Sequence, residues 1–418
     1  MDATNDGEWV DHGAQIVSRH VAAAMATTVP LFEFFTNSRW AARASSPEIS
    51  DFVIGNPHEP TVPGFVKALQ TWSEPQNKDW FAYKFSEPAA RETVAAGLRS
   101  RRGVAFDPSD IVMTNGAFAG LAVCLRTVVN PGEEVVYVTP PWFFYEAVIR
   151  GIGAEPVPVA ALPENFDLDV DAIGAAITSR TRAVLVNSPH NPSGRVYPAE
   201  TLDQLGKVLT EASRRHGRPI FLLSDEAYHR ILFDGRSFPS PTEHYPYSFV
   251  IYTYGKTMLT PGQRIGWIAL PPTMPLADRE RLRPALEMAQ ITTGFAFPNA
   301  LLQHAIGDLE VLSIDMSHLQ QKRDRMVGAL RSQGYDLLEP EGTFYILVRS
   351  PLADDQSFCD LLADRDVLVL PGAVAQVAGW FRISLTATAE MIERALPVFG
   401  EVLAESRQLT VAPNATGS

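Results

Sequence analysis

Short apolar runs alternate with amphipathic runs from about residue 90 to residue 270, and this alternation constrains the fold more than any other feature. Strands that are apolar along their whole length and are separated by helices are typical of a parallel sheet covered on both faces. We therefore predict an α/β fold with a mostly parallel central sheet and helices on both faces. The predicted strands are Ile111–Thr114, Glu134–Thr139, Arg182–Asn187, Pro219–Asp225, Phe249–Tyr254 and Arg264–Leu270.

The pattern changes after about residue 300 and predicts a smaller α+β domain. A long polar helix is followed there by short strands and two further helices. We expect an N-terminal segment over 1–55 that contacts a second subunit or joins the small domain. A large domain over 56–300 and a small domain over 301–408 follow, and the small, polar tail over 409–418 is expected to be disordered.

Charge and cysteine content restrict the partners and the compartment. The net charge of −13 argues against nucleic acid or an anionic membrane as the main partner. Arg99, Arg101 and Arg102 form too short a run to offset it, and we interpret them as the exposed end of a helix. Cys124 and Cys359 have no metal or redox spacing, so we expect two buried thiols in a cytoplasmic protein that binds no metal.

Ligands of open α/β sheets bind where the strands end, so the polar residues after each predicted strand are the candidate site. Gly116 and Ala117 open a helix whose free N–H groups suit a phosphate, although a tight turn also needs glycine. Trp142 follows the next strand and could stack on a flat heterocycle or belong to the core. Asn191 lies in a rigid turn beside His190, which we expect to face the wall of the site or the solvent.

Two further strand ends carry charge. Asp225 ends a buried strand, where a carboxylate is costly unless a cation pairs with it. Lys256, one of only six lysines, follows another apolar strand, and Arg264 lies eight positions further on. A surface lysine and an aspartate paired with an arginine or a helix end are the structural alternatives.

The segment from Phe249 to Trp267 resembles the lysine segment of the class I/II aminotransferases of pyridoxal 5′-phosphate (PLP) fold type I. The glycine turn, the aromatic residue after a proline, the Asn-Pro-x-Gly turn and the Asp-x-x-Tyr strand end follow in that family's order. Pro340–Phe344 and Phe381–Ser384 match it as well, and the resemblance covers roughly residues 50 to 400. It implies the PLP fold type I, an aspartate-aminotransferase-like enzyme and PLP as the cofactor.

The resemblance also implies a role for each matching residue. Lys256 would hold the cofactor as a Schiff base and move the proton, while Asp225 would keep the pyridine nitrogen protonated. Asn191 and Tyr228 would bind the ring's 3′ oxygen, and Trp142 would stack on the ring. The residues implied at the phosphate are Gly116, Ala117, Thr253 and Arg264.

Three more residues are expected to contact the substrate or a second subunit. Arg382 would bind the substrate's α-carboxylate as a planar fork, Gly55 would lie in the turn that closes over the substrate, and Asn191 would contact the substrate as well as the cofactor. The family places its site at a homodimer interface, where a tyrosine reaches the partner's phosphate. Tyr83 is the candidate and Phe81 its rival, because the sequence after Tyr83 departs from the family's pattern.

The resemblance favours transamination between an amino acid and a 2-oxo acid. Other PLP reactions on an amino acid stay open at this stage: β-elimination by a carbon–sulfur lyase, cyclisation, or decarboxylation coupled to oxidative deamination. An aminotransferase-like transcription regulator is a remote alternative, since the residues before position 50 are not basic and show no helix-turn-helix.

Overall fold

The central sheet has seven strands in the computed structural model, which describes residues 16–411. Their order is β2-β8-β7-β6-β5-β3-β4, and every neighbouring pair is parallel except the two pairs that contain β8. The predicted α/β fold is therefore confirmed. The strands are β1 (Ser50–Asp51), β2 (Ile111–Thr114), β3 (Glu134–Thr139), β4 (Glu155–Ala160), β5 (Thr181–Asn187), β6 (Phe221–Asp225), β7 (Ser248–Thr253), β8 (Gly266–Ala269), β9 (Leu337–Leu338), β10 (Tyr345–Arg349), β11 (Val367–Leu368), β12 (Leu370–Pro371) and β13 (Trp380–Ser384).

Helices cover both faces of this sheet, because successive side chains of a strand point to opposite sides. Val135 and Tyr137 of β3 join a core cluster that contains Leu125, whereas Val136 and Val138 join a separate cluster on the other face. Each fully buried side chain of this kind contributes roughly 2 kcal/mol. The helices are α1 (Arg19–Asn37), α2 (Arg39–Arg43), α3 (Phe65–Trp72), α4 (Pro88–Arg102), α5 (Gly116–Val128), α6 (Tyr145–Gly151), α7 (Val170–Ala176), α8 (Ala199–His216), α9 (Leu276–Thr292), α10 (Ala300–His304), α11 (Ile306–Leu309), α12 (Met316–Gln333), α13 (Asp355–Ala363) and α14 (Ala389–Val411).

A second, antiparallel sheet follows in the C-terminal part of the chain. Its strand order is β12-β13-β10-β9, and it shares a core with α12, α13 and α14. Strand β1 pairs with β11, which brings Ser50 beside Val367 and attaches the N-terminal segment to this part of the structure. The division of the chain at residues 55, 300 and 408 stays a prediction.

Two sequence interpretations near the central sheet were wrong. Arg264 does not begin a strand, because β8 starts at Gly266 and Arg264 lies in the preceding loop. Arg102 ends α4 as expected, but its side chain is only 6% exposed and forms an ion pair with the fully buried Glu226. A buried carboxylate needs such a partner, so the Arg102 side chain points inward, while Arg99 and Arg101 are exposed as expected.

The expected disordered tail is partly wrong as well. Helix α14 continues through Leu409 to Val411, and residues 412–418 of that tail lie outside the described part, as do residues 1–15 of the N-terminal segment. A helix that has already formed gains one hydrogen bond per added residue, and the next proline is Pro413.

Over residues 16–411, none of the helices is both long and apolar enough to cross a membrane.

Candidate active site

Side chains that follow five strands of the central sheet, β2, β3, β5, β6 and β7, line one cavity of about 280 Å³. These five strands run in the same direction, so their carboxyl ends meet at one edge. The structure thereby brings together eight of the residues singled out in the sequence. They are Ala117, Trp142, Asn191, Asp225, Tyr228, Thr253, Lys256 and Arg264.

Asp225 ends β6 and presents a carboxylate to the cavity. The Tyr145 hydroxyl donates to its Oδ2 at 2.6 Å, and the Ala227 N–H donates to its Oδ1 at 3.2 Å. Burial raises the pKa of Asp225, while these two hydrogen bonds and the charge of Lys256 oppose the rise. No lysine or arginine of the described chain lies within ion-pair distance of this carboxylate, so the site has room for a bound cation beside it.

Lys256 follows β7 and shares the cavity with Asp225. Its Nζ lies 5.6 Å from the centre of the Tyr228 ring and 5.8 Å from the centre of the Phe344 ring. Both rings offer their faces to a cation at this range. The amine is therefore held inside the cavity and not in the solvent layer.

The opposite end of the cavity is suited to an anion. Helix α5 begins at Gly116, which has a φ of +83°. Arg264 packs against this residue because it has no side chain: a Cβ there would lie 2.7 Å from Arg264 Nη2. Arg264 donates to the Pro261 carbonyl at 2.8 Å and has no carboxylate partner within residues 16–411. A guanidinium beside free N–H groups at a helix N-terminus is a phosphate site, and Thr253 lines the same region.

Arg382 of β13 lies beside the cavity and is 3% exposed. Its Nη1 donates to Asn191 Oδ1 at 3.0 Å and its Nη2 donates to the Val53 carbonyl at 2.9 Å, but its Nε has no hydrogen-bond partner. Burial lowers the pKa of Arg382, and in the part of the chain that is described no carboxylate contacts it. A buried guanidinium in this state needs an anion from outside the chain.

Gly55 lies against Tyr345 and Phe344, and Tyr345 contacts the same arginine. A Cβ at Gly55 would come within 2.3 Å of the Tyr345 hydroxyl and 2.9 Å of the Phe344 ring. The Tyr345 ring in turn lies 4.0 Å from Arg382 Cζ. The segment around Gly55 therefore fits only because this residue has no side chain.

Two other predicted residues do not line the cavity. His190 does not face solvent: it is 2% exposed, its Nδ1 and Nε2 contact Ser193 Oγ at 2.7 Å and the Pro140 carbonyl at 2.9 Å, and burial lowers its pKa to about 4. It stabilises the turn that contains Asn191.

Tyr83 is 88% exposed, and its ring centre lies 5.0 Å from that of Phe297, so it is free to reach another chain.

Two residues that contribute to the cavity were missed in the sequence. Tyr145 begins α6 and holds Asp225, and Phe118 lines the cavity edge-to-face against Trp142, with ring centres 4.8 Å apart. The signal was present in the aromatic run from Trp142 to Tyr145, but only its first member was assigned a role.

The unpartnered charges of the cavity fit PLP as a set. Arg264 and the N-terminus of α5 match a phosphate, Asp225 matches a protonated ring nitrogen, and Lys256 supplies an amine. Trp142 offers an aromatic surface between these two ends.

A family model described as "Aminotransferase class I and II" matches residues 47–399 of the chain. An aspartate/prephenate aminotransferase of Thermus thermophilus is 30% identical over 355 residues, which cover 82% of this chain and 88% of that protein. An arginine–pyruvate transaminase of Pseudomonas aeruginosa is 32% identical over 321 residues, covering 73% and 78%. An aminotransferase crystal structure from Eubacterium rectale matches with a TM-score of 0.81 at 28% identity, covering 94% of this chain and 96% of that one.

Proposed function

This chain belongs to the class I and II aminotransferases and is a PLP-dependent transferase, and we propose that it moves an amino group from an amino acid to a 2-oxo acid at the cavity around Lys256. One observation carries the assignment of the site. Lys256 and Asp225 line the same cavity, and the unpaired, buried Arg382 is hydrogen-bonded to Asn191 in its wall. Amine, carboxylate and carboxylate receptor are thus grouped around one small volume.

Each part of the cofactor has a candidate partner. Asp225 would hold a proton at the ring nitrogen, because its buried carboxylate is more stable beside a cation. Asn191 Oδ1 accepts a hydrogen bond from Arg382, so Asn191 Nδ2 is free to donate to the ring's 3′ oxygen. Tyr228 would donate to the same oxygen. Trp142 would lie on the ring face. The phosphate would be held by Gly116, Ala117, Thr253 and Arg264.

When bound, PLP supplies an aldehyde carbon for the substrate amine and a ring that withdraws electrons from the substrate Cα. Lys256 Nζ accepts the proton that leaves Cα, which a neutral amine can do once it is no longer bonded to the cofactor. Arg382 orients the substrate through its α-carboxylate, and the segment of Gly55 limits the space on that side.

The walls of the cavity support a substrate with an uncharged side chain. The charged residues that line it are Asp225, Lys256 and Arg264, and the proposal assigns all three to the cofactor. Phe118, 38% exposed, adds an aromatic ring to the wall and no cation that could pair with a second carboxylate. We therefore propose an amino acid with an apolar or aromatic side chain as the donor, in contrast to the aspartate named for the Thermus thermophilus protein.

Borohydride reduction followed by peptide mass mapping tests the lysine. PLP should become attached to Lys256, and Lys256→Ala should release the cofactor on gel filtration and lose turnover. Lys207→Ala, an exposed lysine of α8, is the matched control and should behave as wild type. Labelling of another lysine in the wild-type enzyme would contradict the assignment.

Phe118→Lys tests the substrate class. A new cation should favour aspartate over phenylalanine as amino donor by about 10- to 100-fold in kcat/KM, from about 1.5–3 kcal/mol for one charged hydrogen bond. Phe118→Leu keeps the wall apolar and should leave the preference unchanged. A wild-type enzyme that already prefers aspartate would overturn the proposal.

We also propose a homodimer with shared active sites in the cytoplasm. Val21, Met25, Val29 and Phe32 expose an apolar stripe along α1, and Tyr83 is available to a neighbouring site. The two buried, unpaired cysteines support a reducing compartment. Analytical ultracentrifugation checks the dimer, and a monomer that retains full activity would exclude shared sites.

A further inference from the structure

A second cavity, of about 480 Å³, lies between the end of α4 and the segment that follows β6. It shares no lining residue with the cavity of Lys256. Basic side chains dominate its wall, which is unexpected in a chain with a net charge of −13. Its lining residues are Arg101, Arg102, His229, Arg230, Leu232, Arg236, Ser237, Phe238 and Glu243.

The arginines face the cavity, while the carboxylates that neutralise them lie outside its lining. Arg101, Arg102 and Arg236 pair with Glu310, Glu226 and Glu341 in turn. In each pair the guanidinium thus lies on the side of the cavity and the carboxylate behind it.

Arg230 has a different set of partners. It donates to the backbone carbonyls of Glu310 and Leu312 at 3.2 and 3.0 Å, and no carboxylate of the described residues lies within ion-pair distance of it. Glu243 is the one carboxyl group of the wall, and burial raises its pKa.

Hydrogen-bonding capacity is left unused at the same place. Arg102 gives one nitrogen to Glu226, but its Nε and Nη1 are shielded from solvent and have no partner. His229 is 5% exposed and uses its Nδ1 on the Glu226 carbonyl at 2.9 Å, while its Nε2 is without a partner. An unsatisfied buried group of this kind costs about 1–3 kcal/mol, and a ligand gains that energy once the side chains of Arg102 and His229 turn these shielded atoms toward it.

The two residues offer different chemistry to such a ligand. A carbonyl only accepts, so His229 Nδ1 carries the hydrogen and the Nε2 of the neutral ring is an acceptor. Arg102 offers only donors. A matching ligand therefore needs oxygen atoms that accept and one O–H that donates, which a protonated phosphate has and sulfate or a simple carboxylate lacks. We infer that this second cavity binds a small phosphate-bearing anion, either inorganic phosphate or a phosphomonoester.

Isothermal titration calorimetry on the PLP-loaded enzyme tests the inference, because the phosphate of PLP then occupies its own position. At pH 5.5, below the second pKa of about 6 of a phosphomonoester, inorganic phosphate and glycerol phosphate both carry a P–O–H and should bind with one site per chain, and sulfate should bind at least about tenfold more weakly, since it lacks one hydrogen bond. Tighter binding of glycerol phosphate than of phosphate identifies a phosphomonoester site, and the reverse order identifies a site for the free ion.

Two variants locate the site on the protein. Arg236→Gln changes a half-exposed arginine and should weaken binding at least about tenfold, as should Arg230→Gln. Arg214→Gln changes an exposed arginine of α8 that pairs with Glu211 and should have no effect. Absence of saturable binding, equal affinity for sulfate and phosphate, or unchanged binding by Arg236→Gln in a folded protein would overturn the inference.

Discussion

Tyr145→Phe removes one hydroxyl from the support of Asp225 and is expected to slow catalysis without disturbing the fold. The hydroxyl donates to Asp225 Oδ2 at 2.6 Å, and the ring packs 5.5 Å from Trp142, a contact that phenylalanine retains. A hydrogen bond to a charged group contributes about 1.5–3 kcal/mol, so the carboxylate should hold the ring-nitrogen proton less well and kcat/KM should fall about 10- to 100-fold. The pKa of Asp225 should rise further, because one of the groups that oppose its rise is lost.

The assay is steady-state transamination together with a pH titration of the bound cofactor's absorbance. Tyr137→Phe is the matched control: Tyr137 is also buried, its hydroxyl donates to Glu146 at 3.2 Å, and it does not line the cavity. The control should stay within about twofold of wild type, since the Tyr137 hydroxyl contacts neither Asp225 nor the lining of the cavity. A Tyr145→Phe enzyme with wild-type kcat/KM and an unchanged absorbance titration would refute the role given to this hydroxyl.

Two further predictions concern Arg382 and His190. Arg382→Lys should lower kcat/KM about 100-fold, mainly through KM, because an ammonium cannot make the planar hydrogen bonds now made to Asn191 and Val53; steady-state kinetics checks this, and an unchanged KM would contradict it. The pKa of about 4 for buried His190 means that its stabilising contribution is complete above pH 6.5 and is lost as pH falls toward 4. Between pH 7 and pH 5, the free energy of unfolding measured in urea should fall by about 2 kcal/mol more for wild type than for His190→Gln. Equal decreases in the two proteins would exclude the effect.

The sequence could identify the chemistry at the strand ends because that chemistry depends on local pattern. Lys256 and Asp225 each follow an apolar strand, and the carboxyl ends of parallel strands meet at one edge whatever the loops do. Arg382 was found only through the family resemblance, because its partners Asn191 and Val53 are far from it in the chain. Contacts between residues that are far apart in the sequence do not produce a recognisable pattern in it.

The errors have identifiable physical causes. Strand β4 was missed because Pro156 and Pro158 argue against a strand, yet β4 pairs only with β3 and an edge strand tolerates proline. Arg102 was taken as exposed because charge usually marks surface, whereas its partner Glu226 is fully buried. Tyr145 was overlooked because the residues around it in the sequence do not indicate its hydrogen bond to Asp225, which lies eighty positions later.

The turn that follows β6 separates the two cavities with a single layer of chain. Asp225 and Tyr228 line one side, while His229 lines the other and Glu226 anchors Arg102 there. If binding in one cavity changes the affinity of the other, the reverse effect has the same size, because thermodynamic linkage is reciprocal. An anion that strengthens cofactor binding from behind the turn would itself be bound more strongly once the cofactor is in place, and the same few residues would report both events.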